Sequence, residues 1–204
     1  MAKSFILILG GVRSGKSGFA QSMAAKLGRK VLFVATGQPL DEEMASRIEE
    51  HKRMRPKNWR TLEIDVKVGQ KLKGQIGDAE VVLLDCLALL VSNVIQNPSL
   101  PLSLRAERSN LLALRAGSMK NLEKIDSTEA EKLVMDEIDE LIECINRHQG
   151  IFIVVSNEVG LGLVPENKLG RVYRDLLGKA NQFLAQHADE VYFMASGIPV
   201  KIKG

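Results

Sequence analysis

The chain has 204 residues, of which 45% are hydrophobic and 26% are charged, a balance typical of globular proteins that excludes the disordered and fibrous classes. This length predicts one domain, spanning residues 1–204, around one hydrophobic core. A formal net charge of only +3 does not indicate nucleic-acid binding, so we predict no nucleic-acid partner.

The first half of the chain alternates between predicted strands and predicted helices. In chain order these are a strand at 4–9, a helix at 17–27, a strand at 31–35, a helix at 42–54, strands at 59–64 and 81–84, and a helix at 87–95. Asp41 can cap the second of these helices, and Pro56 ends it. The first strand is a short apolar run ended by glycine, which is typical of a strand buried in a parallel sheet.

The second half continues this pattern after a region of different composition. Residues 97–127 contain scattered Leu and Arg beside prolines and a polar stretch, and they predict a helical insertion. An amphipathic helix at 128–148, a strand at 151–155, a helix at 168–187 and strands at 190–194 and 199–202 follow. The alternation predicts an α/β fold with a mostly parallel central sheet flanked by helices and a C-terminal β-hairpin.

Hydropathy and cysteine spacing indicate the compartment. No segment approaches about 18 consecutive apolar residues, and the first apolar run is a core strand, not a signal sequence. Cys86 and Cys144 lack C-x-x-C spacing and predict neither disulfides nor a zinc site. We therefore predict a cytoplasmic protein without a membrane span.

A glycine-rich motif, G-x-x-x-x-G-K-S, stands between the first strand and the first helix. Its residues are Gly10, Gly11, Val12, Arg13, Ser14, Gly15, Lys16 and Ser17. This strand–loop–helix context predicts a P-loop NTPase-like fold, in which backbone N–H groups and the helix N-terminus hold the phosphates of GTP or ATP. Lys16 is then the catalytic cation on the outer phosphates, and Ser17 is a ligand of Mg²⁺. Arg13 either faces solvent or adds a cation to the phosphates.

Two further carboxylates follow predicted strands. Asp85 ends an apolar strand beside the expected P-loop, where it either holds Mg²⁺ through water or caps the helix that begins at residue 87. Asn157 and Glu158 follow the strand at 151–155, where they either bind a substrate hydroxyl or an Mg²⁺ water, or serve as capping and turn residues.

His51 stands among cations in the segment Glu49-Glu50-His51-Lys52-Arg53-Met54-Arg55. An imidazole nitrogen can attack phosphorus and form a phosphoramidate, which divides one transfer into two steps. Helical spacing places His51 on the face of Met44 and Ile48, and taken alone this spacing favours a packed helix-end histidine.

Several blocks in the same order resemble a known family, the bifunctional adenosylcobinamide kinases and adenosylcobinamide-phosphate guanylyltransferases of cobalamin biosynthesis. The resemblance covers most of 5–97 and 128–202. Its blocks are the P-loop, Val34-Ala35-Thr36-Gly37, residues 41–48 with His51-Lys52 and Arg55-Pro56, Trp59-Arg60-Thr61, Leu84-Asp85-Cys86, residues 156–162 and 164–167, and residues 196–201.

The resemblance implies phosphorylation of adenosylcobinamide, followed by transfer of GMP from GTP to the new phosphate, with Mg²⁺. It implies that His51 carries the GMP, that the corrinoid is the substrate, and that the protein is a homotrimer. It also implies a nucleotide site formed by the P-loop together with Ala35, Thr36, Gly37, Lys52, Arg53, Met54, Arg55, Glu63 and Asp85. Residues 97–127 depart from the family because they are longer and richer in Leu and Arg.

Overall fold

The computed structural model describes residues 3–39, 42–96 and 127–204. The insertion predicted at 97–127 therefore lies outside the described residues except for its last position. Asp41, the predicted helix cap, also lies outside the described residues. No helix among the described residues is long and apolar enough to cross a membrane.

A seven-stranded sheet forms the centre of the protein, in the order β3-β2-β4-β5-β1-β6-β7. The strands are β1 Ser4–Gly10, β2 Val31–Ala35, β3 Arg60–Glu63, β4 Val81–Asp85, β5 Ile151–Val155, β6 Glu190–Ala195 and β7 Ile198–Lys203. Each neighbouring pair from β3 to β6 is parallel, and β6 pairs with β7 antiparallel. The predicted mostly parallel sheet and C-terminal hairpin are confirmed.

Helices connect the strands and cover both faces of the sheet. They are α1 Lys16–Leu27, α2 Glu42–Met54, α3 Val68–Leu72, α4 Leu87–Ile95, α5 Ser127–Arg147 and α6 Lys168–His187. Within the described residues, the predicted elements are confirmed with ends that differ by at most one residue, which is within the usual uncertainty of helix and strand boundaries. Of the helices and strands in the described residues, only α3 was not predicted.

The core consists of two apolar layers, one on each face of the sheet. Leu7, Leu84 and Val154 face α4, α5 and α6, whereas Ile8 and Leu83 face α1. Strands β1, β4 and β5 are thus buried on both sides, which is why they are continuous apolar runs without alternation. The two cysteines, Cys86 and Cys144, are free thiols.

The topology brings the loops after the strands to one edge of the sheet. Strand β5 lies between β1 and β4, and β2 lies beside β4. Because parallel strands have their carboxyl ends at the same edge, the P-loop after β1 and Asp85 at the end of β4 lie at this edge. The segments that follow β2, β3 and β5 begin there too.

Helix α3 depends on a carboxylate that is distant in sequence. Glu137, on α5, is buried and accepts hydrogen bonds from the backbone N–H groups of Lys67 (2.8 Å) and Val68 (2.7 Å). Lys67 has a left-handed backbone (φ 56°) and supplies no side-chain cap. Burial raises the pKa of Glu137, and the two backbone N–H groups oppose this by stabilising the carboxylate. The α3 N-terminus is therefore held by α5.

The Glu137→Ala variant should be clearly less stable than the wild type. Two backbone donors lose their acceptor in a largely buried site, so the free energy of unfolding should fall by about 2 kcal/mol or more. Urea unfolding measures this change. Asp136→Ala, an exposed position on the same helix, is the matched control and should stay within about 0.5 kcal/mol of the wild type. Equal stability of the two variants would contradict the capping role.

Candidate nucleotide site

The backbone of the P-loop adopts conformations that favour glycine at Gly10 and Gly15. Gly10 has φ 151°, and a Cβ atom there would lie 2.7 Å from the carbonyl oxygen of Met194 and 2.8 Å from Ser14 Oγ. Gly15, the N-cap of α1, is left-handed at φ 90°. The turn between β6 and β7 supports the loop from outside, because the N–H of Gly197 donates to the carbonyl of Ser14 (3.0 Å).

Two polar side chains of the P-loop are suited to phosphate. Lys16 is buried, and its Nζ donates to the carbonyl oxygen of Gly11 within the loop itself (2.6 Å). Ser14 Oγ is also buried and has no hydrogen-bond partner among the described residues. Both groups can donate to a phosphate oxygen that enters the loop. Arg13 and Val12 are exposed. Of the two alternatives for Arg13, this position corresponds to the solvent-facing one.

The charge of Lys16 is opposed by burial and supported by Asp85. Desolvation lowers the pKa of the Lys16 ammonium, while Cys86 and Asp85 act in the opposite direction. Burial beside Asp85 raises the pKa of the Cys86 thiol to about 12, so this thiol is neutral near pH 7. We therefore attribute the electrostatic support of Lys16 at neutral pH to the Asp85 carboxylate, which links the end of β4 to the P-loop.

Ser17 and Asp85 are the residues predicted to hold Mg²⁺. Ser17 lies in the first turn of α1, and Asp85 lies one residue before Cys86, which is the actual N-cap of α4. The N-cap position of α4 is thus Cys86 and not Asp85. No group of three or more His, Cys, Asp or Glu in the described parts of the chain could hold a metal. A hydroxyl and a carboxylate suit Mg²⁺, which takes most of its remaining ligands from phosphates and water.

Thr36 joins the ends of β2 and β4. Its Oγ1 donates to the carbonyl of Cys86 (2.7 Å) and accepts from the N–H of Cys86 (3.0 Å). The amide of Asn93 donates to the carbonyl of Thr36 (2.7 Å). Thr36 is completely buried, so its hydroxyl links the ends of β2 and β4 within the protein interior. Ala35, the last residue of β2, is also buried.

Helix α2 lies over this edge. Ile48 Cδ1 is 3.4 Å from the position that a Cβ atom on Gly37 would take, so this part of α2 is close to the end of β2. His51 and Met54 follow on the same helix, and the backbone of His51 lies less than one turn after Ile48. The structure therefore brings the backbone of His51 to the same edge as the P-loop.

The cations at the end of α2 have defined contacts. Lys52 Nζ lies 2.9 Å from Glu63 Oε1 at the end of β3, whereas Arg53 is exposed. The guanidinium of Arg55 lies 3.9 Å from the ring centroid of Phe33, and its Nε is buried without a hydrogen-bond partner among the described residues. Burial lowers the pKa of Arg55, and Asp85 and Glu63 oppose this shift. Arg55 is thus a cation held near two carboxylates of the same edge.

Sequence reasoning missed two buried amides, Asn93 and Asn181. Asn93 binds the carbonyls of Thr36 and Asp65, and Asn181 binds the segment after β5. Each stands on the buried, otherwise apolar face of a helix, where a polar side chain needs a partner. That position in the hydrophobic pattern is a signal that could have identified them.

These features define a class: an α/β nucleotide-binding protein with a P-loop between β1 and α1. Residues 6–202 match the model of the cobinamide kinase / cobinamide phosphate guanyltransferase family, CobU, and the chain belongs to this family. The resemblance drawn from the sequence blocks is confirmed.

Curated relatives and a solved structure agree with this membership. The bifunctional adenosylcobalamin biosynthesis protein CobU of Escherichia coli K12 is 38% identical over 198 residues, covering 97% of this chain and 99% of that protein. The corresponding CobP of Pseudomonas aeruginosa PAO1 is 36% identical, covering 97% and 96%. The PH0250 structure from Pyrococcus horikoshii OT3, with a TM-score of 0.53 and 9% identity, covers 100% of this chain and 87% of its own, and it supports the fold alone.

Proposed function

We propose that this protein phosphorylates adenosylcobinamide with ATP or GTP and then transfers GMP from GTP to the new phosphate, giving adenosylcobinamide-GDP. The observation that carries the proposal is the convergence of the P-loop, Asp85 and the cationic end of α2 on one edge of the sheet. Membership of the CobU family supports both reactions. The substrate is a corrinoid, and we carry over the family's homotrimeric assembly as part of the proposal.

The kinase half uses the P-loop. The backbone N–H groups after Gly10 and the N-terminus of α1 bind the phosphates, and Ser14 Oγ adds a donor. Lys16 exchanges its bond with the Gly11 carbonyl for the outer phosphates, where it neutralises charge that grows during transfer. Ser17 and Asp85 would hold Mg²⁺, which when bound neutralises charge on the transferring phosphoryl group.

The guanylyl half uses His51. Its imidazole nitrogen attacks the α-phosphorus of GTP, a P–N bond forms, and pyrophosphate leaves. A phosphate oxygen of adenosylcobinamide phosphate then attacks the same phosphorus and breaks the P–N bond, which regenerates the imidazole. Lys52, Arg53 and Arg55 provide cations for the phosphates, with Met54 on the same segment. Glu63, Ala35, Thr36 and Gly37 complete the proposed nucleotide site.

Labelled GTP tests both halves of the proposal. With Mg²⁺ and GTP labelled at the α-phosphate, the purified protein should retain label through a denaturing gel, and acid should release it as expected for a phosphoramidate. With γ-labelled GTP or ATP, the label should pass to adenosylcobinamide. Absence of protein-bound α-label would refute the guanylyl half, and absence of γ-transfer with either donor would refute the kinase half.

A further inference from the structure

A cleft of about 460 Å³ opens between the end of β1, the segment that follows β5 and helix α6. Leu9 at the end of β1 forms one wall, Glu158 and Gly160 form the second, and α6 forms the third. None of the roles given above to the P-loop, Asp85 or α2 uses this cleft. Two of its lining residues adjoin the P-loop, because Leu9 directly precedes Gly10 and the N–H of Glu158 donates to the carbonyl of Gly10.

The backbone places Glu158 directly against the P-loop. The N–H of Ser156 donates to the carbonyl of Ile8, and the N–H of Glu158 donates to the carbonyl of Gly10, both at 2.9 Å. These bonds continue the parallel pairing of β1 and β5 beyond the end of β5. Since β5 lies between β1 and β4, Glu158 emerges between the P-loop and the strand that ends in Asp85.

A backbone N–H group holds the carboxylate of Glu158 in place. Its Oε1 accepts a hydrogen bond from the N–H of Gly160 (2.8 Å). None of the ion pairs found between described residues involves Glu158. Two cations line the same cleft, but Lys179 pairs with Glu131 (2.5 Å) and Arg174 pairs with Asp175 (3.3 Å). A half-buried carboxylate without a cationic partner, oriented by a backbone donor, is suited to accept a proton.

Asn181 fixes the segment that carries Glu158. This amide is buried on α6, its Oδ1 accepts from Ser156 Oγ (2.6 Å), and its Nδ2 donates to the carbonyl of Asn157 (2.9 Å). Buried hydrogen bonds of this kind restrict the backbone to one arrangement. Asn181 is therefore a positioning residue, which acts through Asn157 and Glu158.

We propose that this cleft binds the hydroxyl-bearing acceptor of the kinase reaction and that Glu158 is its general base. The acceptor oxygen bonds to the γ-phosphorus, the bond from that phosphorus to the β-phosphate oxygen breaks, and the nucleoside diphosphate leaves. The hydroxyl proton passes to the Glu158 carboxylate and from there to solvent. This inference rests on the proposed kinase activity and adds a substrate cleft and a catalytic residue to it.

The Glu158→Gln variant tests the inference, because glutamine keeps the shape and the acceptor for Gly160 but cannot take the proton. The rate constant kcat for γ-phosphate transfer from labelled nucleotide to adenosylcobinamide should fall by about 10²-fold or more. The acidic limb of the pH profile of kcat should also disappear. Guanylylation of the protein by α-labelled GTP should be unchanged, since this step does not use the acceptor cleft.

Two variants complete the test. Glu166→Gln, an exposed position in the same loop, should retain wild-type kcat. In Gly160→Ala, the new Cβ would lie 2.9 Å from Glu158 Oε1, so the carboxylate must move and kcat should fall while thermal stability is kept. Wild-type kcat and pH profile in Glu158→Gln would refute the role of Glu158 alone. Absence of phosphorylation by the wild type would instead refute the kinase activity and this role with it.

Discussion

Replacing His51 with asparagine should abolish covalent attachment of GMP to the protein and transfer of GMP to adenosylcobinamide phosphate. An asparagine amide nitrogen is not nucleophilic and cannot form the phosphoramidate, so the reaction loses its first step. The kinase reaction should continue, because the P-loop and Lys16 are untouched. The measurement is protein-bound label from α-labelled GTP, followed by γ-transfer to adenosylcobinamide from the same preparations.

His187→Asn provides the matched control for this experiment. His187 is exposed in the last turn of α6, with its Nδ1 2.9 Å from the carbonyl oxygen of Phe183, and no role in either reaction is proposed for it. This variant should be labelled to the same extent as the wild type. Persistent labelling of His51→Asn would show that another residue carries the GMP, and it would overturn the assignment of His51.

Replacing Lys16 with alanine should lower phosphorylation of adenosylcobinamide by about 10³-fold. The ammonium is buried in the P-loop and bonded to the Gly11 carbonyl, so it is positioned in advance for the outer phosphates. Its loss removes a cation where negative charge develops, and water cannot replace it equally well in a shielded site. Steady-state rates with saturating ATP or GTP and adenosylcobinamide measure the effect.

Lys26→Ala separates this effect from a general loss of charge on α1. Lys26 is exposed in the last turn of the same helix, and its removal should change the rate by less than about twofold, since exposed positions away from the site contribute little. Thermal unfolding of both variants shows whether the fold is intact. If Lys16→Ala folds and retains more than a tenth of wild-type kcat, the catalytic role of Lys16 is wrong.

Local sequence patterns were sufficient to predict a structural feature wherever the residues that form it lie close together in the chain. The P-loop is such a case, because its glycines, its lysine and the flanking strand and helix all stand within one short segment. The roles of His51, Lys52 and Glu63 were reached differently, from the resemblance between separate blocks. Helical spacing alone favoured a packed histidine, and the catalytic role of His51 stays a prediction.

Long-range contacts explain why helix α3 and the roles of two buried amides were not predicted from the sequence. Helix α3 has only five residues and no side-chain cap of its own, and its N-terminus is held by Glu137 from a distant helix. Asn93 and Asn181 satisfy backbone groups on other elements. In each case the partner lies far away in the chain, so no window of sequence contains both halves of the interaction.

The sequence by itself determined the α/β class, the order of nearly all elements and the position of the P-loop, since hydrophobic periodicity and glycine spacing act over a few residues. Only the tertiary structure decided that β5 lies between β1 and β4 and that α2 lies over the end of β2. It also decided that Glu158 lines a cleft together with Leu9 and α6. Strand order and helix packing result from burying all the apolar faces at once, and this requirement belongs to the whole chain.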